Sequence, residues 1–167
     1  DGASNFVLFP QPTPGQSNDT TVGFTELLEP PVFSVSGGFY SENFNLVLSH
    51  PDPLVTIVYT IDGSDPDVNN LNGTTYSYKN QYPIGLNQLP IDSSLTSSFQ
   101  SFQYAAPITV EDRTNQPNDI SMISSTFDFD PSYYLPDYPL FKGTVVRAKA
   151  YKTGAMPSKV ISNSYFI

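Results

Sequence analysis

The sequence contains no cysteine, no tryptophan and a single histidine in 167 residues. Without thiols the fold owes nothing to disulfides, and thiolate metal sites and a cysteine nucleophile are both excluded. Basic residues are also scarce, seven Lys and Arg against 16 Asp and Glu, for a net charge of −9. No basic stripe is present to follow a phosphate backbone, so no nucleic-acid partner is expected. No apolar run approaches the roughly 20 residues that a membrane-spanning helix needs. No membrane span is expected. Long helices are excluded by the 16 prolines, each of which removes a backbone donor and clashes with the preceding helical turn.

What is present favours strands. Aromatic residues make up 14% of the chain, and with Val, Ile and Thr they suit a pleated, half-buried surface. "PPVFSVSGGFY" alternates Phe33 and Val35 with serines and ends in a Gly37-Gly38 pair that reads as a turn. "FNLVLS" puts Phe44, Leu46 and Leu48 on one face. "VTIVYTI" puts Val55, Ile57, Tyr59 and Ile61 on one face and Thr56 and Thr60 on the other. "TVVRAKAY" directs Val146, Ala148 and Ala150 inward and Arg147 and Lys149 to water, and "VISNSYFI" keeps Ile161, Tyr165 and Ile167 in register. Half-buried strands with solvated outer faces indicate an all-β, immunoglobulin or fibronectin-III-like antiparallel β-sandwich. Between them, residues 66–143 are too long for a plain loop. They read as an ordered insertion with weak strands near 74–79 and 106–111, and one short helical turn in "PNDISMIS".

These same blocks carry a resemblance. Tyr59, Thr60, Asp62, Gly63, Ser64 and Pro66 in "VYTIDGSDP", followed by Val145, Arg147, Ala148 and Ala150 in "VVRAKA", are similar to the chitobiase/β-hexosaminidase C-terminal-type domain, the Fn3-associated module. The matched blocks cover about half the chain in the right order. The opening "DGASNFVLFPQPTPGQSN" resembles the last strand and exit of a lamin-tail domain. The resemblance implies a module set between lamin-tail and spore-coat-kinase-like domains of a secreted bacterial protein, with neighbouring domains of the same polypeptide as its partners. Residues 1–30 are then a linker with a remnant strand of the preceding domain, and 31–167 the sandwich. No kinase motif lies within these residues. An acidic, lysine-poor composition and a start at Asp1 without a leader fit an exported piece of a longer protein, extracellular or at the cell surface.

Chemistry finds little support. The acidic stretch "DGSDPDVNN" does not fit an EF-hand: counting from Asp65, Asn70 stands where the loop needs Gly and Tyr76 where it needs Glu. A looser calcium site using Asp62, Asp65 and Asp67 is one reading. A turn is the other, since Asp-Gly is a turn dipeptide and Asp and Ser side chains bond nearby N–H groups. No other cofactor is implied. His50, in the proline-bounded "SHPDP", has only Asp52 as a nearby acidic partner and reads as a loop residue rather than a general base. The remaining carboxylates stand in turn-like contexts and form no evident glycosidase pair. The chain is therefore not expected to be an enzyme. The tyrosine-rich "FDFDPSYYLPDYPLF" offers Tyr133, Tyr134 and Tyr138 as a platform that stacks on polysaccharide rings. The other reading makes these tyrosines anchors of the insertion.

Overall fold

A computed structural model describes residues 7–10, 12–17, 23–79, 94–118 and 138–167. The strands are β1 (Val32–Phe33), β2 (Gly38–Phe39), β3 (Phe44–Leu46), β4 (Leu48–Ser49), β5 (Thr56–Thr60), β6 (Thr74–Lys79), β7 (Ser94–Phe99), β8 (Phe102–Gln103), β9 (Ile108–Val110), β10 (Thr144–Tyr151) and β11 (Ile161–Phe166). Among the described residues the only helical piece is a 3-10 turn at Val68–Asn70.

One layer is a five-stranded sheet in the order β2-β11-β10-β5-β8. Its neighbours are antiparallel except for β2, which runs parallel to β11. The central strand β10 follows the expected alternation. Thr144, Val146, Ala148 and Ala150 are buried, while Val145, Arg147, Lys149 and Tyr151 keep partial exposure. The second layer is built on the extended run 44–49. Its first half pairs with β9, Leu46 opposite Ile108, and its second half with β1, Leu48 opposite Phe33. At the changeover the Ser34 N–H donates to the Val47 carbonyl at 2.9 Å, and the Val47 N–H donates to Ser34 Oγ at 2.9 Å.

The core lies between these layers. Leu46, Leu48 and Val110 from the second layer pack with Ile57, Val146, Ala148 and Tyr165 from the first. Both layers turn an apolar face inward, so neither could stay dry alone, and that mutual burial is the physical basis of a β-sandwich. Tyr165 places the largest fully buried side chain here. Its hydroxyl donates to the Val35 carbonyl at 2.9 Å, which offsets the cost of burying it. A smaller cluster of Leu28, Ala150 and Ala155 extends the packing toward the start of the chain. There Leu28 N–H donates to the Met156 carbonyl at 3.1 Å and Met156 N–H to the Glu26 carbonyl at 2.8 Å. Farther back, Leu8 and Phe24 form an isolated antiparallel bridge.

Three features depart from the simple alternation. Val58 and Thr60 share the outward face of β5, yet both are 0% exposed. That face is covered, not solvated. Gly38 lies in β2 rather than in a turn. Gly37 meets β11 so closely that a Cβ there would stand 3.0 Å from the Ser164 carbonyl oxygen and 3.2 Å from its nitrogen. The glycine permits a close backbone approach. Finally, the insertion is partly woven into the sandwich. β8 joins the edge of the first sheet through Val58 and Tyr59, and β9 joins the second through β3. Strands expected near 74–79 and 106–111 are present as β6 and β9, while β7 and β8 carry no strong sequence signal. The stretch of "PNDISMIS" from Asp119 onward, expected to form a helical turn, lies outside the described residues.

Candidate functional site

The acidic stretch after β5 is a laced turn. Asp62 Oδ1 accepts the Ser64 N–H at 2.9 Å and the Ser64 hydroxyl at 2.5 Å, and Oδ2 accepts the Gln100 N–H at 3.2 Å. Gly63 sits at φ +83°, a left-handed conformation that glycine takes without a Cβ penalty. Asp65 forms an ion pair with Arg147. Pro66 is fully buried. Asp67 caps the 3-10 turn, its Oδ1 accepting the Asn69 N–H at 2.9 Å. Each carboxylate thus faces a different donor. Among the described residues no group of three His, Cys, Asp or Glu gathers as a metal-binding cluster.

The two halves of the sequence signature meet in this turn. Thr60 Oγ1 donates to the Ser64 carbonyl at 2.7 Å, and Arg147 Nη1 donates to the Gly63 carbonyl at 2.8 Å. Thr60 and Arg147 are themselves register partners. Tyr151, two positions from Lys149 on the same face, donates its hydroxyl to the Pro66 carbonyl at 2.7 Å. From the other side, Ser101 Oγ accepts the Asp67 N–H at 2.9 Å and the Ser101 N–H donates to the Asn70 carbonyl at 3.1 Å. The turn is therefore strapped over the outer face of β5 and β10, which accounts for the burial of Val58 and Thr60. The signature residues build a clamp. Burial pushes the Asp62 carboxyl up, but the hydrogen bonds from Ser64 and Gln100 outweigh it and hold the group below the usual carboxylate range.

His50 is also structural in its contacts. Nδ1 accepts the Asp52 N–H at 3.1 Å and Nε2 lies 3.1 Å from the Glu29 carbonyl, so the proton belongs on Nε2. The Asp52 carboxylate turns elsewhere, to Lys152 Nζ at 2.9 Å and the Leu54 N–H at 2.8 Å. Glu26 completes this partly buried network at 2.9 Å from the same ammonium. The side-chain hydrogen bonds to Glu26 and Asp52 hold the Lys152 pKa above its ordinary value.

Of the three tyrosines of the proposed platform, Tyr133 and Tyr134 lie outside the described residues. Tyr138 is 61% exposed, and its carbonyl accepts from Asn118 Nδ2 at 3.1 Å. A different aromatic surface is well defined. Tyr76, Tyr78 and Phe99, on one face of the β6-β7 hairpin, wall a cleft of about 970 Å³. The facing wall includes Ile61, Ser64 and Val145, so the cleft begins where the clamp ends. Tyr76 stands 6.0 Å from Tyr78 and 6.1 Å from Phe99, ring centroid to centroid. The sequence carries a signal for it in "TYSY", where strand alternation puts both tyrosines on one face, but nothing there distinguishes a cleft wall from a packing anchor.

The chain is an all-β, two-layer sandwich whose signature residues strap a turn across one sheet. The family model described as Fn3 associated matches residues 46–165, and the chain belongs to that Fn3-associated family. The family is of a non-catalytic accessory type. No curated protein and no solved structure gives a match.

Proposed function

We propose that this chain is a non-catalytic structural module of a secreted or cell-surface, multi-domain bacterial protein, in which it packs against neighbouring domains of the same polypeptide. The clamp is the observation that carries this reading. Asp62, Ser64, Asp65, Thr60 and Arg147, the polar residues that could serve chemistry, are engaged with one another or with backbone groups. The surface supports a packing role. Phe39 is 80% exposed and stacks on Phe166 at 4.9 Å, and exposed Phe141 stacks on the same ring at 5.8 Å. A contiguous exposed apolar row of this kind marks an interaction surface.

The test compares the isolated chain with the same residues inside their full polypeptide. Packing against a neighbour raises the melting temperature of the module in the longer chain. Phe39→Ser removes that increment while lowering the melting temperature of the isolated chain only by the smaller loss of its stacking on Phe166. Equal melting in both contexts, or turnover of chitin oligosaccharides by the isolated chain, refutes the reading.

A further inference from the structure

The cleft beside the β6-β7 hairpin borrows Asp62, Gly63 and Ser64 of the clamp for one wall, but its aromatic wall belongs neither to the clamp nor to the phenylalanine row. We propose that it is a binding site for a neutral polysaccharide, with Tyr76 and Tyr78 as the stacking residues. This goes beyond the structural role, which requires no ligand, and concerns different residues from the Tyr133, Tyr134 and Tyr138 segment.

Four observations converge on that ligand. The first is size: about 970 Å³ lies at the upper end of the roughly 300–1,000 Å³ typical of small-molecule sites, room for more than one pyranose ring. The second is aromatic area left uncovered. Tyr76 is 45% exposed although it sits in a strand with two ring neighbours, so its face remains for a ligand. A sugar ring carries an apolar C–H face that such a ring covers, and tyrosine adds a polar tip at the edge.

The third is the polar rim. Ser97 lies directly across the hairpin from Tyr76, hence on the same face, and Ser98 also borders the cleft. Among the described residues, these two hydroxyls and the phenols of Tyr76 and Tyr78 have no hydrogen-bond partner. Hydroxyls both donate and accept, as sugar hydroxyls do, whereas peptide carbonyls need only donors. A glycan fits this rim better than a proline-rich peptide. The fourth is charge. Asp62 and Arg113 both line the cleft, the carboxylate held by Ser64 and Gln100 and the guanidinium through Nε on Gln116 Oε1 at 2.7 Å, so one negative and one positive charge offset each other there. With these charges balanced, nothing in the lining draws a cationic ligand, and the chain's net charge of −9 disfavours an acidic polymer. A neutral ligand remains.

The test is native affinity electrophoresis of the protein through gels holding hydroxyethylcellulose, laminarin, xyloglucan or glycol chitin, with polygalacturonate as the acidic comparison. Retardation is expected with at least one neutral polymer and not with polygalacturonate. Tyr76→Ala weakens that retention at least about tenfold, equal to about 1.4 kcal/mol. Exposed Tyr76 tolerates truncation, and an unchanged melting temperature checks this. A second readout needs no variant. The chain has 11 tyrosines and no tryptophan, so titration with oligosaccharides of the retarding polymer is expected to change tyrosine emission, and the change is reduced in Tyr78→Ala. No retardation by any neutral polymer, retention that survives Tyr76→Ala with Tyr78→Ala, or binding of a proline-rich peptide in place of glycans overturns the proposal.

Discussion

Thr60→Val isolates the clamp without disturbing the core. Valine nearly matches threonine in shape and keeps the strand preference of β5, so no cavity forms and the main change is loss of the hydroxyl. Thr60 is 0% exposed and donates to the Ser64 carbonyl at 2.7 Å. A net hydrogen bond contributes about 0.5–1.5 kcal/mol, and an acceptor left without a partner adds a penalty when water cannot reach it. Ser64 is half-buried, so water restores part of that loss. The expected destabilisation is about 1–2 kcal/mol, read as a lower urea midpoint with an unchanged slope. Tyr151→Phe removes the second strap, the 2.7 Å bond to the Pro66 carbonyl, and is expected to cost about 1 kcal/mol. Because both straps hold one turn, the double variant should lose less than the sum, by roughly 0.5–1 kcal/mol, the size of coupling seen within one network. Additivity within about 0.3 kcal/mol, or single effects below about 0.5, would refute the idea of a single strapped unit.

Ile57→Ala, at a site only 8% exposed between the two layers, should cost roughly 2–5 kcal/mol in the same urea assay; a neutral effect would remove the sandwich core as described. Gly37→Ala should lower stability by about 1–3 kcal/mol, because its Cβ meets the backbone of β11, which has little room to yield. Asp62 has its folded pKa lowered by Ser64 and Gln100, so its contribution is present above the unfolded carboxylate pKa and is lost as pH falls through the folded value. Melting temperature measured from pH 7 down to pH 2 should therefore drop less steeply in Asp62→Asn than in the parent; parallel curves would contradict the assignment. Millimolar calcium should leave the melting temperature nearly unchanged, since a site at hundredfold saturation would add about 2.7 kcal/mol. An EDTA-reversible rise, lost on Asp65→Ala with Asp67→Ala, would turn the clamp into a metal site.

The strands that were legible in sequence are those whose one face is core. Leu46 and Leu48, and Val146 to Ala150, alternate because those strands separate packing from a more open face, and period-two alternation records that directly. Ile57 and Tyr59 mark the core face of β5, although its other face is covered too. β8 left no such record. Phe102 and Gln103 both keep substantial exposure, and their place at the sheet edge is set by backbone pairing with Val58 and Tyr59. Backbone pairing has no side-chain signature. Gly37-Gly38 misled for a related reason. A glycine that opens a turn and one that admits a neighbouring strand look alike in sequence, and only the 3.0 Å approach to Ser164 separates them. The acidic stretch was ambiguous because Asp and Ser serve turns and metals with the same oxygens. The bond that Asp62 accepts from Gln100, 38 positions away, leaves no local trace in the sequence.

The insertion explains why the clamp and the cleft adjoin. After β5 the chain crosses the outer face of its own sheet, and Pro66 and the capped turn at Val68–Asn70 bring it to β6. β6 then pairs with β7, which returns to Phe99, whose carbonyl accepts Asn70 Nδ2 at 3.2 Å. The return cannot drift, because Ser101 ties to Asp67 and Asn70 just before β8 enters the sheet. The base of the hairpin is thus fixed by the same hydrogen bonds that hold the turn. Tyr76 and Phe99 stand near that base, facing the wall that Ile61 and Ser64 supply. A module whose family signature strengthens one turn therefore also sets the width of an aromatic cleft. Loosening the clamp through Thr60→Val should widen that cleft before it unfolds the domain, so glycan retention should weaken in this variant at temperatures where the sandwich remains folded.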